Sequence, residues 1–318
     1  MTPSEASQSF QCFGGDAAVI VGGGPEPGAA VEQSRERMLE AHRRLSRFLP
    51  ESELSRLNRN PARTVAGSPL MVRFVAAARE AGARSGGLVD PTLLAPIEEA
   101  GYRDSIKDSA GSVPLREALA DAPPRHPATP RAARDWSLLE ADPEAGTVTR
   151  PPGVGLDSGG VAKGLVADLI ASGLGDRPQF VVDCCGDLRL GGTAGAVRSV
   201  LVEGPFGEGT ISELRLSGGA VATSGIGRRA WRGPDGSPAH HLLDPATGLP
   251  AFTGLAQVTA IAPSARVAEV LAKTALLSGP ERASSELPFG GVLVHDDGSV
   301  ERLGAQVHLP GATLEPVA

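Results

Sequence analysis

A glycine-rich turn that leads into an apolar helix is the first segment of the sequence able to do chemistry. It reads LDSGGVAKGLVADLI over residues 156–170, with Gly159 and Gly160 in the turn and Lys163 just inside the helix. Glycine lets the backbone approach a ligand, and the exposed amides and the helix dipole favour an anion such as a diphosphate. A strand-to-helix turn also needs glycine for geometric reasons alone, so both interpretations stay open.

A second segment, GGAVATSGIGRRA at residues 218–230, places Thr223 and Ser224 among small residues and is followed by two arginines. It is compatible with another anion-binding turn. A sheet-edge loop whose hydroxyls bond their own backbone is the more usual structure for such a segment taken alone.

The third segment is HHLLDPATGLP at residues 240–250, where His241 and Asp244 lie three residues apart before Pro245. A local turn would bring an imidazole and a carboxylate to one site, and a titrating imidazole suits proton transfer. An Asp-Pro turn beside a hydrogen-bonded structural histidine explains the same residues.

The elements that must position these segments are predicted from hydrophobic periodicity. Apolar residues recur near a 3.6 period from Val31 to Phe48 and predict a helix of about five turns that stops at Pro50. Ser52 is the predicted N-cap of a short helix. Further helices are predicted at residues 70–83, 161–174 and 267–278, and strands at 17–21, 136–139, 147–149, 180–182, 197–202, 255–261 and 292–294. This mixture favours an α+β fold with a largely antiparallel sheet.

Composition and charge narrow the classes of partner. The 318 residues carry a formal charge of −7 without a block of Lys or Arg, so neither nucleic acid nor an anionic membrane surface is an expected partner. Three cysteines, Cys12, Cys184 and Cys185, lack metal-ligand spacing and are expected to be reduced thiols. The opening residues show neither a secretory signal nor a membrane span, so a cytoplasmic location is expected.

In this order along the chain, the three segments resemble the ApbE family. Its GG-I/V-AKG turn, A-T-SG segment and H-x-x-DP-x-TG segment correspond to GGVAKG, ATSG and HLLDPATG, and further matches lie at residues 46–58 (SRFLPESELSRLN), 86–93 (GGLVDPTL) and 185–188 (CGDL). The resemblance covers roughly residues 10–280. It implies one ApbE-like, T-fold-related α+β domain over residues 1–318, with a mostly antiparallel sheet and flanking helices. Residues 103–134 are rich in Pro, Ala, Asp and Arg without a firm period, and this composition predicts a surface insertion.

The resemblance also implies an activity, that of an FAD:protein FMN transferase. FAD would be the substrate, Mg²⁺ would assist, and FMN would be attached through its phosphate to a Thr or Ser of an acceptor protein with release of AMP. The residues implied for the diphosphate are Gly159, Gly160, Val161, Ala162 and Lys163, with Thr223, Ser224 and Gly225 as the opposite wall. The implied catalytic residues are His241, Asp244 and Lys163, and the metal would be held by the Ala162 carbonyl and Glu269. Asp157 would be a carboxylate near the metal, and Asp187 a turn-former.

The sequence departs from the family where AEVLAKTALLSG, residues 268–279, replaces a segment with Asp and Thr as metal ligands. Glu269 and Lys273 stand in their places, and Thr274 comes one residue late, a rotation of about 100° on a helix that should turn it away. Glu269 and Lys273 are either an i,i+4 pair on a solvated helix face or an internal substitute for part of the metal's charge.

Two other functions are compatible with the same residues. One is an FAD pyrophosphatase, which would form FMN and AMP with water as acceptor. The other is a non-catalytic flavin-binding or carrier protein whose altered metal position has removed catalysis. A second departure is CCGDL, where Cys184 and Cys185 are expected to pack as small apolar residues rather than form a strained vicinal disulfide.

Overall fold

An eight-stranded antiparallel sheet forms the centre of the computed structural model, which describes residues 4–103, 113–227, 230–307, 309 and 312–313. The strands are β1 Glu5–Cys12, β2 Gly15–Gly22, β3 Thr64–Ala66, β4 Glu140–Asp142, β5 Thr147–Thr149, β6 Gln179–Cys184, β7 Asp187–Gly191, β8 Arg198–Glu203, β9 Thr210–Leu216, β10 Gly219–Gly225, β11 Ala230–Arg232, β12 Pro238–His240, β13 Leu255–Ala262, β14 Gly291–His295, β15 Val300–Leu303 and β16 Ala312–Thr313. The helices are α1 Pro27–Leu45, α2 Glu53–Arg59, α3 Pro69–Arg84, α4 Leu94–Glu99, α5 Leu115–Ala120, α6 Ala162–Ser172, α7 Ala265–Ser278 and α8 Pro280–Ala283.

The central sheet has the order β1-β2-β6-β7-β10-β13-β14-β15 and is covered on both faces. Helices α1, α3, α6 and α7 enclose the main hydrophobic core against one face, and β8 and β9 enclose a smaller core against the other. Burial on both faces is why β13 is buried at every residue rather than alternating between buried and exposed. The predicted α+β class with a mostly antiparallel sheet is confirmed.

The periodic segments form the predicted helices, with ends set by local chemistry. The first helix ends at Leu45 rather than near Pro50, so Phe48 lies beyond it. Ser52 caps α2 as predicted, since its hydroxyl accepts a hydrogen bond from the Ser55 amide at 2.9 Å.

Two predictions of local structure are wrong. Residues 136–139 were expected to be a strand, but Asp135–Leu138 is a 3-10 helix, because a short apolar run carries no period that distinguishes the two. Residues 218–230 were expected to be a turn or a sheet-edge loop, but β10 runs through the middle of the sheet between β7 and β13. Its small residues fit beneath α7, which packs across this strand. Arg228 and Arg229 lie outside the described residues.

The surface insertion at 103–134 stays a prediction, and part of it, residues 104–112, lies outside the described residues. The part that follows contains α5 and then an extended run that crosses towards α7. In this run the Ala128 amide donates to the Leu277 carbonyl at 2.8 Å. Of the helices that the structure describes, none combines the length and the apolar character needed to cross a membrane.

Candidate active site

A cavity of about 560 Å³ opens where α6 begins. Its walls come from the β1–β2 turn, the end of α1 and the residues after it, the loop at 88–93, the glycine-rich turn, and the segment that contains His241. Lys163 and Lys273 both line it. The cavity therefore gathers residues from across the whole chain at one helix N-terminus.

The glycine-rich turn is held by its own residues. Asp157 accepts a hydrogen bond from the Gly159 amide at 2.9 Å, and the Ser158 carbonyl accepts one from the Ala162 amide at 2.9 Å. Gly160 has no side chain at the point where the stem of Lys273 passes: a Cβ there would lie 3.8 Å from Lys273 Cε. This turn and Lys163 thus line the cavity, and their part in binding a diphosphate stays a prediction.

Helices α6 and α7 are bound to each other by reciprocal carboxylate contacts. Asp168 on α6 accepts hydrogen bonds from the amides of Ala265 and Arg266 at the start of α7, at 2.8 and 3.0 Å. Glu269 on α7 accepts one from the Gly164 amide at the start of α6, at 2.9 Å. Both carboxylates lie at helix N-termini, where the helix dipole favours a negative charge. The arrangement fixes Glu269 and Lys273 beside the turn.

Four charged side chains alternate beside the cavity in the order Asp187, Lys163, Glu269, Lys273, and of these the two lysines line it. Lys163 Nζ forms an ion pair with Asp187 and lies 3.8 Å from Glu269 Oε1, and Lys273 Nζ donates to the same Oε1 at 3.0 Å. Only 1% of each carboxylate side chain and 9% of the Lys273 side chain is exposed. We call these four residues the charge cluster.

The pKa values of the charge cluster follow from burial and from these pairings. Burial raises the pKa of Asp187 to about 6, despite the opposing effect of Lys163. Burial alone would lower the pKa of Lys163, but Asp187 and Glu269 raise it above its ordinary value. Burial would likewise raise the pKa of Glu269, yet Lys273, Lys163 and the Gly164 amide hold it below its ordinary value.

The predicted metal position does not fit a divalent cation in this chain. Glu269 Oε2 is bonded to the Gly164 amide and Oε1 to Lys273, so both oxygens already have donors. Thr274 turns its hydroxyl back to the Val270 carbonyl at 2.8 Å, as its place on the helix predicts. Among the described residues, no group of three or more His, Cys, Asp or Glu side chains is arranged to hold a metal. The Glu269–Lys273 pair is not on a solvated face.

Asp187 is not the turn-former that the sequence suggested. The turn between β6 and β7 is made by Cys185 and Gly186 alone, which have φ values of 60° and 93° and join the paired residues Cys184 and Asp187. Two positive φ values in a two-residue hairpin loop match a type I′ turn. Asp187 is the first residue of β7, and its side chain points to α6. The three cysteines are free thiols, and the Cys185 thiol donates to the Cys12 carbonyl.

His241 and Asp244 lie near each other but face different surroundings. His241 lines the cavity, with its ring edge-on to Tyr102 at a centroid distance of 6.4 Å. Asp244 is buried and does not line the cavity; its Oδ1 accepts hydrogen bonds from the Thr129 amide at 2.9 Å and the Ala246 amide at 3.1 Å. Asp244 therefore ties the turn after His241 to the run that follows α5.

The register of β10 determines which way Thr223 and Ser224 face. Ala222 pairs with Asp187 across β7, so Ala222 and Ser224 lie on the helix-covered face, and Thr223 lies on the opposite face. There the Thr223 hydroxyl is 2.9 Å from that of Thr259 on β13. The cavity lining contains none of the three predicted residues Thr223, Ser224 and Gly225. The part of these three residues in diphosphate binding stays a prediction. For Thr223 the strand register does not favour it, because its side chain lies on the sheet face opposite the helices.

Arg47 is a site residue that the sequence did not single out. Its Nε bonds Asp157 at 2.8 Å, its Nη2 donates to the Tyr102 carbonyl at 2.7 Å, and its guanidinium lies 4.2 and 4.5 Å from the Phe48 and Tyr102 rings. Only 4% of its side chain is exposed. Arg47 thus joins the glycine-rich turn to the aromatic wall of the cavity. Its place in the family-like segment SRFLPESELSRLN is the sequence signal that could have identified it.

The cavity lies on an α+β scaffold and brings together a glycine turn, a helix N-terminus and two lysines, an arrangement whose charge favours an anion. The ApbE family model matches residues 14–288, and the chain belongs to that family. A relative from Treponema pallidum (strain Nichols), named FAD:protein FMN transferase, is 35% identical over 155 residues, which is 44% of this chain and 42% of the relative. A Vibrio cholerae protein of the same name is 26% identical over 295 residues, 87% of this chain and 84% of the relative. The chain thus spans less than half of the Treponema relative's length.

Solved structures share the fold. The ApbE protein from Thermotoga maritima superposes with a TM-score of 0.77 at 25% identity, covering 94% of this chain and 97% of its own. The apo flavinyl transferase ApbE from Pseudomonas stutzeri superposes with a TM-score of 0.73 at 22% identity, covering 95% and 96%. The predicted membership of the family is confirmed.

Proposed function

We propose that this chain is an FAD:protein FMN transferase. The observation that carries the proposal is the cavity at the start of α6, where the glycine-rich turn and the charge cluster meet in a member of the ApbE family. Relatives from two organisms bear the name of this activity. The turn would hold the FAD diphosphate, and Arg47 would fix the turn against Tyr102.

In the proposed reaction, the hydroxyl oxygen of an acceptor Thr or Ser attacks the FMN phosphorus. The new phosphorus–oxygen ester bond forms as the bond from that phosphorus to the bridging oxygen breaks, and AMP leaves with the bridging oxygen. His241 accepts the proton of the attacking hydroxyl, because it lines the cavity and an imidazole suits proton transfer. Lys163 neutralises charge on the diphosphate. Asp244 positions His241 through the turn and is not proposed as a base.

The metal-assisted form of this reaction is not part of the proposal. Mg²⁺ needs oxygen ligands, and Glu269 offers none that is free of a donor. Charge neutralisation in the proposed reaction therefore rests on lysines.

The test is to incubate the protein with FAD, with and without an acceptor domain that bears a flavinylation-type Thr or Ser, and to follow AMP release and acceptor mass. A gain of one FMN, less water, on the acceptor supports the transferase. AMP release that does not depend on the acceptor indicates the pyrophosphatase, and FAD binding without either product indicates a carrier. His241→Ala should bind FAD but fail to transfer FMN. Leu138→Ala, an exposed change on the 3-10 helix, should bind FAD and transfer FMN.

A further inference from the structure

Lysine is rare in this chain, yet it supplies both cations of the charge cluster. The chain has three lysines, Lys107, Lys163 and Lys273, among 30 basic residues, so arginine is its usual cation. Two of the three lie within 3.8 Å of a single carboxylate oxygen, Glu269 Oε1. An ammonium is a compact point charge with rotatable donors, whereas a guanidinium is a rigid plane. Two of these point charges therefore lie beside Glu269, the residue that the family resemblance implies as a metal ligand.

We propose that the Lys273 ammonium, held by Glu269, replaces the divalent cation, and that this chain binds FAD without metal. The inference rests on the proposed function and specifies how that site neutralises the diphosphate. A divalent ion at Glu269 would have to displace the Gly164 amide or Lys273 and would then lie close to two ammonium groups. Mutual repulsion of like charges opposes such a site.

The position of Lys273 suits this role. Its side chain lines the cavity, and its Cδ and Cε run along the space left by Gly160. Glu269 takes one hydrogen bond from Nζ, and an ammonium has three N–H donors, so two remain for phosphate oxygens. The pair lies at i and i+4 on α7, which keeps Nζ from moving away when the cavity is empty.

The first measurement is FAD binding to the wild-type protein by flavin fluorescence, with EDTA or with millimolar Mg²⁺, together with Mn²⁺ binding by electron paramagnetic resonance. We expect FAD dissociation constants within about two-fold of each other in the two buffers, and no bound Mn²⁺ with or without FAD. FAD binding that improves about ten-fold or more with Mg²⁺, or one bound Mn²⁺ per protein, would overturn the inference alone. No FAD binding in either buffer would overturn the proposed function and the inference with it.

Variants test the role of Lys273 directly. Lys273→Met should weaken FAD binding in EDTA by about ten-fold, because it removes the charge and keeps most of the side-chain stem. The double variant Lys273→Thr with Glu269→Asp supplies oxygen ligands and should gain both Mn²⁺ binding and a response of FAD affinity to Mg²⁺.

Arg84→Met, which removes one charge from an exposed i,i+4 pair, is the matched control and should leave FAD affinity unchanged. FAD affinity of Lys273→Met equal to that of this control would overturn the assignment. If a variant misfolds by circular dichroism, the wild-type metal titration still decides.

Discussion

Replacing Lys163 by methionine should give a pH-dependent loss of stability. Lys163 is the ion-pair partner of Asp187, whose side chain is 1% exposed, and Glu269 retains Lys273 as a second partner. The methionine keeps most of the stem and removes the charge. Without Lys163, Asp187 is either a buried, unpaired carboxylate or a neutral carboxylic acid, depending on pH.

The loss in free energy of unfolding depends on the protonation state of Asp187. Removing one partner of a buried ion pair costs about 3–5 kcal/mol when the other stays charged. Burial already raises the pKa of Asp187 to about 6 with Lys163 present, and loss of the lysine raises it further. Because this folded-state pKa lies above the unfolded value, the folded protein holds the proton more tightly, so stability falls as pH rises. We expect a loss of about 1 kcal/mol at pH 5, where Asp187 is protonated, and about 3 kcal/mol at pH 8.

Urea unfolding at both pH values, followed by fluorescence of the buried tryptophans Trp136 and Trp231, measures this difference. The double variant Lys163→Met with Asp187→Asn is the control. It removes both charges, so most of the stability at pH 8 should return. An equal loss for Lys163→Met at pH 5 and pH 8, with no recovery in the double variant, would refute the assigned dependence of Asp187 on Lys163.

Three further predictions test packing, burial and the cavity wall. Gly164→Ala places a Cβ 2.6 Å from the Ala265 carbonyl oxygen and should lower the free energy of unfolding in urea by about 2–4 kcal/mol. Gly28→Ala, which has open space around it in α1, should raise the free energy of unfolding by up to about 1 kcal/mol. Similar urea midpoints for the two variants would contradict the close contact between α6 and α7. Burial lowers the pKa of His240 to about 3, so unfolding free energy should fall by roughly 4 kcal/mol as pH drops from about 6.5 to about 3, and His240→Asn should flatten that slope. Arg47→Lys, which loses the fork geometry and the stacking, should weaken FAD binding about ten-fold in a fluorescence titration, and an unchanged affinity would show that the turn holds without it.

The sequence predicts the helices better than the middle of the sheet. Helices α1, α3, α6 and α7 each show a period or an apolar run long enough to identify them. The sequence of β10, GAVATSG, contains small residues that are typical of turns, and its strand conformation is stabilised by β7, β13 and α7, which come from distant parts of the chain. Local propensity cannot predict a strand whose small residues are required by a helix packed across it.

The same limit applies to the direction of side chains. Which of Thr223 and Ser224 faces the helices depends on the pairing of Ala222 with Asp187, and a shift of one residue would exchange them. The motif identifies the segment, while only the register assigns a face to each hydroxyl. The contact of Asp187 with Lys163 and that of Arg47 with Asp157 depend in the same way on pairing between distant segments.

The Glu269–Lys273 pair shows what burial adds to spacing. An i,i+4 pair in water contributes a few tenths of a kcal/mol and does not determine function. In this structure the Glu269 side chain is 1% exposed and binds the first turn of α6, so its charge cannot be left without a cation. Two lysines supply that cation, and the charge cluster is close to neutral when all four groups are ionised. A bound diphosphate would therefore bring the excess negative charge, and the two remaining N–H donors of Lys273 would receive it. In the proposed site the ammonium donors of Lys273 take the place of a metal ion at the diphosphate, and the buried Glu269 holds that ammonium beside the cavity.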